Sequence, residues 1–425
     1  MKITKKLYKE MSKVFMRLCL HRRWTQVLTK DTYDELAKQA LNSMITFFLA
    51  IEAEHVGKEI KWENFPKIVL HRAFLKAYIL QDISESTIWD ICKQSGFEVE
   101  RVYDAARIVI TEKTDEEFCN ELFAAINSYE ARIYKAATKI ATYIEFRENK
   151  SEFNGTYEKM FQEINQELME FMDVPGFKRL SNPANPLFQI FETLSNLRNQ
   201  NRWAAYARAM DCSVLGHSLD VAILSYFMSL EENPGDEKTA THRFFVGLFH
   251  DSPEAWTKDM PSPIKDLIPG FRDAIGRYEL NVMQENVYCI LFDYSRVPFQ
   301  NVMMEAECNE AIHEKMKGAD YFDACYECVR NLTAGSRDYN FYRAVVEFRD
   351  TMNQGKARIT PIAMEFYEDL VKEVSRLKPS LIFYWWKEGR RSSQNCELLS
   401  LIYTVSSWHK IWDSNKFNRI QITIY

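Results

Sequence analysis

Apolar residues recur three and four positions apart through most of this chain, and that spacing restricts its fold more than any other feature. Leu36, Leu41, Met44, Phe47 and Phe48 form one such set, and Val69, Phe74, Leu75, Tyr78 and Ile79 another. Side chains at this interval share one face of an α-helix, whereas a half-buried strand would need alternation. Residues that interrupt helices are scarce. The 425 positions hold 13 Gly and 12 Pro, both under the average usage of about 7% and 5%. The chain is therefore expected to be all-α. Its 46% hydrophobic residues suffice for a sizeable core, and its length allows about two or three domains.

Charge and cysteine usage narrow the function. A formal net charge of -6 leaves no broad basic field, so long nucleic acid is not an expected partner, although a local pocket for one phosphate stays open. Nine cysteines, an odd number without a dense framework, fit a reducing compartment, and a cytoplasmic location is expected. Cys325 and Cys328 lie one turn apart in a predicted helix with no second pair nearby, which favours buried packing over zinc or redox chemistry. Lys2, Lys5, Lys6, Lys9, Lys13 and Arg17 interrupt the apolar residues of the N-terminus. That segment reads as an amphipathic helix and not as a secretory signal. No run approaches the roughly 18 apolar residues of a membrane span.

The densest chemistry lies between Leu248 and Lys265. An apolar helix, Phe244 to Phe249, delivers His250 and Asp251 to its end; Ser252-Pro253 stops it, and Glu254 and Asp259 follow closely. A divalent cation needs several nitrogen and oxygen donors, and two adjacent residues supply only part of the set. Upstream stand Arg202-Trp203 and then Gly216-His217-Ser218-Leu219, where His217 opens an apolar helix running to about Leu230. Downstream, Lys317-Gly318-Ala319-Asp320 heads another helix. In order these residues read His, then His-Asp, then Asp, each on its own helix.

This order and context resemble the HD-domain metal-dependent phosphohydrolases, most closely their bacterial 5'-deoxynucleotidase branch. That family carries an Arg-Trp pair, a Glu-His-Ser-Leu segment, a long His-Asp-x-x-Glu-x-x-Thr-x-Asp-x-Pro-x-Pro-x-Lys segment and a Lys-x-Ala-Asp segment. Here Arg202-Trp203, His217-Ser218-Leu219, His250 to Lys265 and Lys317 to Asp320 match in turn, over roughly residues 195 to 345. Gly216 stands where the family has Glu, and Trp256 where an aliphatic residue is usual. An imidazole pair with two carboxylates suits one Mn, Fe, Co, Ni or Zn ion better than Ca, so His217, His250, Asp251 and Asp320 are expected to bind a single divalent transition metal. Only His313 lies in the interval where binuclear HD phosphodiesterases carry extra His ligands, which favours one ion; His242 is expected to be a packed or helix-surface residue. Glu254 is placed to handle the leaving-group proton. The resemblance further implies that Arg202 orients the phosphate, that Trp203 lies against the sugar and disfavours a 2'-hydroxyl, and that Asp259 with Ser262, Pro263, Ile264 and Lys265 lines the nucleotide site. The expected activity is hydrolysis of (deoxy)nucleoside 5'-monophosphates to nucleoside and phosphate. A phosphodiesterase or nucleoside triphosphate hydrolase on the same site is the alternative enzyme, and a nucleotide-sensing regulatory protein the alternative of another class.

The first half echoes the second. Arg23-Trp24 answers Arg202-Trp203, Gln81-Asp82-Ile83-Ser84-Glu85 answers His250 to Glu254 with Asp90 in register with Asp259, and Lys135 to Thr138 answers Lys317 to Asp320. The offsets suggest a duplicated unit of roughly 175 residues. The first copy has lost its metal, because the first His falls on Lys38 or Gln39, the second on Gln81 and the last Asp on Thr138; only Asp82 survives. The expected organisation is a degenerate HD-like helical domain over 1–174, a Pro/Gly/Asn-rich linker over 175–186, a catalytic HD domain over 187–378 and a tail over 379–425, its aromatic clusters docked on the body. The two copies are expected to pack as an intrachain pseudo-dimer, and a homo-oligomer stays open.

Overall fold

The computed structural model describes residues 1–149, 157–258, 260, 268–308, 310–354 and 357–376. The secondary structure of these residues is helical. Their backbone pairs as in a β-ladder at only two isolated bridges, Arg22 with Asp34 and Asn201 with Ser213. The tail expected over 379–425 lies outside the described residues.

The N-terminal half comprises α1 (Lys5–Leu20), α2 (Glu35–His55), α3 (Asn64–Leu75), α4 (Glu85–Ser95), α5 (Glu100–Lys113), α6 (Glu116–Ala125), α7 (Tyr129–Glu148) and α8 (Tyr157–Met169). The short α9 (Phe177–Leu180) and α10 (Pro186–Ser195) lead to α11 (Val214–Glu232), α12 (Glu237–Phe249) and the one-turn α13 (Glu254–Thr257). The chain continues through α14 (Phe271–Met283), α15 (Asp293–Cys308), α16 (Glu310–Thr333), α17 (Tyr339–Asn353) and α18 (Pro361–Arg376).

Two helices are apolar nearly all round and occupy the centre, as such helices must. In α2 every residue from Glu35 to Ala53 is buried, and in α11 every residue from Val214 to Leu230. They pack on each other; α3 and α7 cover α2, while α12 and α16 cover α11. Each central helix starts on a side-chain cap, Asp34 accepting from Ala37 N–H at 2.8 Å and Ser213 from Gly216 N–H at 3.0 Å, which satisfies an otherwise orphaned backbone donor. The two bridges tie these same caps to the Arg22–Trp24 and Asn201–Trp203 segments.

Aromatic rings bind the halves together. Phe47 of α2 lies 5.1 Å from Phe245 and 5.3 Å from Phe249 of α12, and Phe48 lies 5.2 Å from Phe299 of α15. Helix α1 is amphipathic, as its sequence requires, with Tyr8, Met11, Val14 and Phe15 fully buried. It reaches across to the second half, where Tyr8 meets Phe227 and Phe322 edge-on and its carbonyl accepts from Tyr326 OH at 3.0 Å. The stretch expected as a linker is part of this core. Phe177 and Leu180 are fully buried, and Arg179 hydrogen-bonds Glu52 of α2. Among the described residues no helix is long and apolar enough to cross a membrane.

Candidate active site

Helix α11 carries His217 in its first turn, fully buried. Helix α12 ends at Phe249, and His250 continues in helical conformation as its cap. Gly247 lets α12 run close to α11: a Cβ there would come 3.0 Å from both Ala222 Cα and Val221 O. The close approach sets the imidazole rings of His217 and His250 5.3 Å apart. His250 Nδ1 lies 2.7 Å from Gly247 O, an acceptor, so Nδ1 carries the proton and Nε2 is left as a donor of an electron pair. Asp251 Oδ2 stands 3.1 Å from His250 Nε2 and 3.7 Å from His217 Nε2.

The fourth residue arrives on α16. Asp320 was expected near the head of its helix, but α16 begins at Glu310, so the Lys317–Asp320 motif lies well inside it. Asp320 Oδ1 stands 3.2 Å from His217 Nε2, and Lys317 Nζ donates to Asp320 Oδ2 at 3.1 Å. The four residues read from the sequence as one set therefore converge, two imidazoles and two carboxylates from three helices. Atoms of His217, His250 and Asp251 all lie within 4.8 Å of one another, a spacing that could hold a metal ion.

Behind His217 runs a polar stripe that the sequence reading did not single out. Asp320, Asp323, Glu327 and Arg330 recur on one face of α16 among buried Phe322, Cys325, Tyr326 and Cys328. Their spacing of three and four was visible in the sequence and was the signal to follow. Asp323 Oδ2 lies 2.7 Å from His217 Nδ1, and Arg330 bridges Asp323 and Asp220, 3.3 Å from each. His217, Asp323 and Glu327 also lie close enough to share an ion. Asp323 is better matched to orienting His217, because it occupies Nδ1 and leaves Nε2 toward Asp251 and Asp320.

Electrostatics make the same point. Burial and the nearby Arg202 guanidinium oppose a charge on His217, yet hydrogen bonds to Asp320 and Asp323 hold its pKa up at about 10. Burial likewise opposes the charged forms of Asp251 and Asp320. The neighbouring His250 and His217 overcome it for Asp251, and Lys317 and His217 for Asp320, keeping both below the usual carboxylate range. The cluster demands positive charge. The Nε2 atoms of His217 and His250 are buried and face carboxylates, 3.2 Å from Asp320 and 3.1 Å from Asp251, as expected of imidazoles shaped to share a cation with them.

Arg202 and Trp203 border this cluster and share one acceptor. Glu327 Oε2 takes Arg202 Nε–H at 2.9 Å and Trp203 Nε1–H at 2.7 Å, and Arg202 reaches to 3.9 Å from Asp320. Trp203 adopts φ of 58°, in the left-handed region, and its ring packs on Tyr206 and Phe341. Glu254 opens α13, buried, with its N–H on Asp251 O at 3.0 Å and its carbonyl accepting from Gln200 at 2.8 Å. The two sequence departures have local settings: a Cβ at Gly216 would meet Leu36 of α2 at 3.1 Å, and Trp256 packs half-buried against the core. Asp259, Ser262, Pro263, Ile264 and Lys265 lie outside the described residues. His313 is exposed, His242 is half-buried, and Cys325 and Cys328 are buried free thiols.

Comparison with known proteins agrees with this geometry. The family described as 5'-deoxynucleotidase YfbR-like matches residues 189–374. A 5'-deoxynucleotidase of Vibrio atlanticus is 24% identical over 169 residues, 39% of this chain and 86% of its own length. The 5'-deoxynucleotidase YfbR of Salmonella arizonae is 26% identical over 159 residues, 37% of this chain and 79% of its own. Residues 189–374, which carry all four converging side chains, are thus the part of the chain that resembles the YfbR-like 5'-deoxynucleotidases.

Proposed function

We propose that the segment over 187–378 is a catalytic unit that removes phosphate from deoxynucleoside 5'-monophosphates, with His217, His250, Asp251 and Asp320 holding one divalent ion of the Mn, Fe, Co, Ni or Zn group. The observation that carries this reading is the meeting of those four side chains, with Nε2 of both imidazoles buried and turned toward the two carboxylates. A single ion of this kind lowers the pKa of a bound water and polarises a phosphoryl oxygen.

The protein's own groups do the rest. Asp323 fixes the ring of His217, and Gly247 O fixes that of His250. Arg202, anchored on Glu327, supports a role in holding the phosphate, since a guanidinium donates in a fork that matches phosphate oxygens. As water attacks phosphorus and the bond to O5' breaks, Glu254 gives the departing oxygen its proton. The indole of Trp203, held edge-on to Phe341, offers an apolar wall for the sugar, and Asp259 with Ser262 to Lys265 would line the nucleotide.

The test is a metal-supplemented phosphate-release screen over nucleoside mono-, di- and triphosphates and cyclic dinucleotides, beside a His250→Ala/Asp251→Ala chain. Release from deoxynucleoside monophosphates, lowered about a thousandfold or more in the variant and on chelation, is the expected result. Turnover confined to triphosphates or cyclic dinucleotides would replace the substrate class, and equal release by both proteins would remove the site.

A further inference from the structure

A second charged cavity lies in the other half of the chain. A volume of about 900 Å³ opens beside α2, lined by Arg23, Trp24, Lys38, Arg72, Lys76 and Lys135 among others. Its frame repeats that of the site above, element by element. The interval that separates Arg22 and Asp34 from Asn201 and Ser213, the two bridged pairs, also separates Trp24 from Trp203 and Lys38 from His217. Trp24 has φ of 59° and Trp203 of 58°. Glu145 of α7 accepts from Arg23 at 3.1 Å and from Trp24 Nε1 at 2.8 Å, as Glu327 of α16 does from Arg202 and Trp203.

What differs is the cation. Where His217 stands in α11, α2 carries Lys38, 3.7 Å from Glu145 and bonded to Thr142 at 2.8 Å. Among the described residues, both groups of side chains able to hold a metal are built around His217 and not here. The parts that grip phosphate and sugar in the proposed catalytic unit are thus retained in kind, and lysine stands in for the ion.

Basic and acidic side chains both line the cavity. At its buried and half-buried positions Arg23, Lys38, Arg72 and Lys76 stand against Glu35, Glu85 and Glu145, and Lys139 pairs with Glu167, while Asp82, Asp90 and Glu170 line the cavity at exposed positions. Lys135 makes no ion pair among the described residues. Burial pushes Lys38 down to about 7 and also lowers Lys76, against the pull of the nearby carboxylates. Buried Gln39 Oε1, Asn42 Oδ1 and Tyr134 OH, on the same wall, lack hydrogen-bond partners. Buried ammonium and guanidinium groups with unpaired polar atoms beside them suit an anion with further polar groups attached.

We propose that this N-terminal cavity binds a nucleoside 5'-monophosphate without a metal and without hydrolysing it, its phosphate on Lys38, Arg23 and Lys135. The choice of a nucleotide rests on the reading of the catalytic unit given above; the anion site does not. The absence of a metal set at Lys38, Gln81 and Thr138 would leave the ester bond intact.

The experiment uses the full chain carrying His250→Ala/Asp251→Ala, in excess chelator, titrated calorimetrically with each of the four deoxynucleoside 5'-monophosphates and with inorganic phosphate. At least one nucleotide is expected to bind one per chain, tighter than phosphate, and to be weakened roughly tenfold to a hundredfold by adding Lys38→Met or Lys135→Gln. Lys135 is exposed, and Lys38→Met removes a buried charge while Arg23 and Trp24 still satisfy Glu145. Both variants should therefore keep the parent's melting temperature, which separates lost binding from lost folding. No binding to the metal-site variant, or equal binding with both lysines replaced, overturns the proposal; phosphate binding as tightly as every nucleotide overturns its nucleotide part. Failure of wild-type phosphate release would count against the catalytic reading alone, because this titration involves no turnover.

Discussion

Asp323 is where a single atom decides how His217 works. Its Oδ2, 2.7 Å from Nδ1, sets the tautomer that exposes Nε2, and its charge raises the basicity of the ring. Asp323→Asn keeps the shape and a carbonyl acceptor but removes the charge. Metal affinity is expected to fall about tenfold to a hundredfold, measured by competition with a chelating dye, while the melting temperature without metal changes little because Asp220 still pairs with Arg330. Unchanged affinity would mean that Asp323 only fills space. The four converging residues were legible in the sequence because their order, His, His-Asp, Asp, is carried by specific neighbours. Asp323 and Glu327 share the three-and-four spacing of Asp320 and Arg330, but that spacing does not name their partners, because His217, Arg202 and Trp203 lie over a hundred residues away.

At the scale of elements, two glycines set how closely helices meet around the site. Gly247 allows α12 onto α11, and Gly318 allows α16 onto the segment after α17. A Cβ at Gly318 would fall 2.0 Å from Arg358 O, a backbone atom that cannot rotate away. Gly318→Ala must therefore displace α16 or residues 357–360, at a cost of about 1–3 kcal/mol, and Asp320, two residues on, moves with the helix. Denaturant unfolding should show that loss, with phosphate release falling beyond what the lost stability explains. Gly276 in α14, where a Cβ would meet nothing within 4 Å, is the matched control, and alanine there should stabilise by about 0.5–1 kcal/mol through helix propensity. Equal effects at the two positions would remove the packing argument. Helix positions were readable from the three-and-four spacing: α11 runs close to its expected bounds, and α12 ends at Phe249 as expected but starts earlier, at Glu237. The start of α16, ten residues before Asp320, was not, because within the polar run from Glu310 to Lys317 only Ile312 and Met316 mark the buried face of the helix.

For the whole molecule, periodicity tells that a face is apolar but not what covers it. The sequence reading set two bodies on either side of a Pro- and Gly-rich linker, yet the buried residues of both halves form one continuous cluster. Leu36 of α2 sits over Gly216 beside His217, Phe47 and Phe48 close over Phe245, Phe249 and Phe299, and Tyr8 of α1 wedges between Phe227 and Phe322. The expected linker is sealed in by Phe177, Leu180 and the Arg179–Glu52 bond. Without the first half, α11 would present to water a face that is now buried along its length, an apolar surface that favours association over a unique fold. The full chain is thus expected to unfold in a single calorimetric transition, and residues 187–378 expressed alone to aggregate or to lack sharp near-ultraviolet circular dichroism and phosphate release. Two resolved transitions in the full chain, or an active, monomeric fragment, would show that the halves share a surface without sharing stability. In that event nucleotide bound beside Lys38 could no longer be expected to raise the melting temperature of the half that holds His217, as it must if one cooperative core spans both.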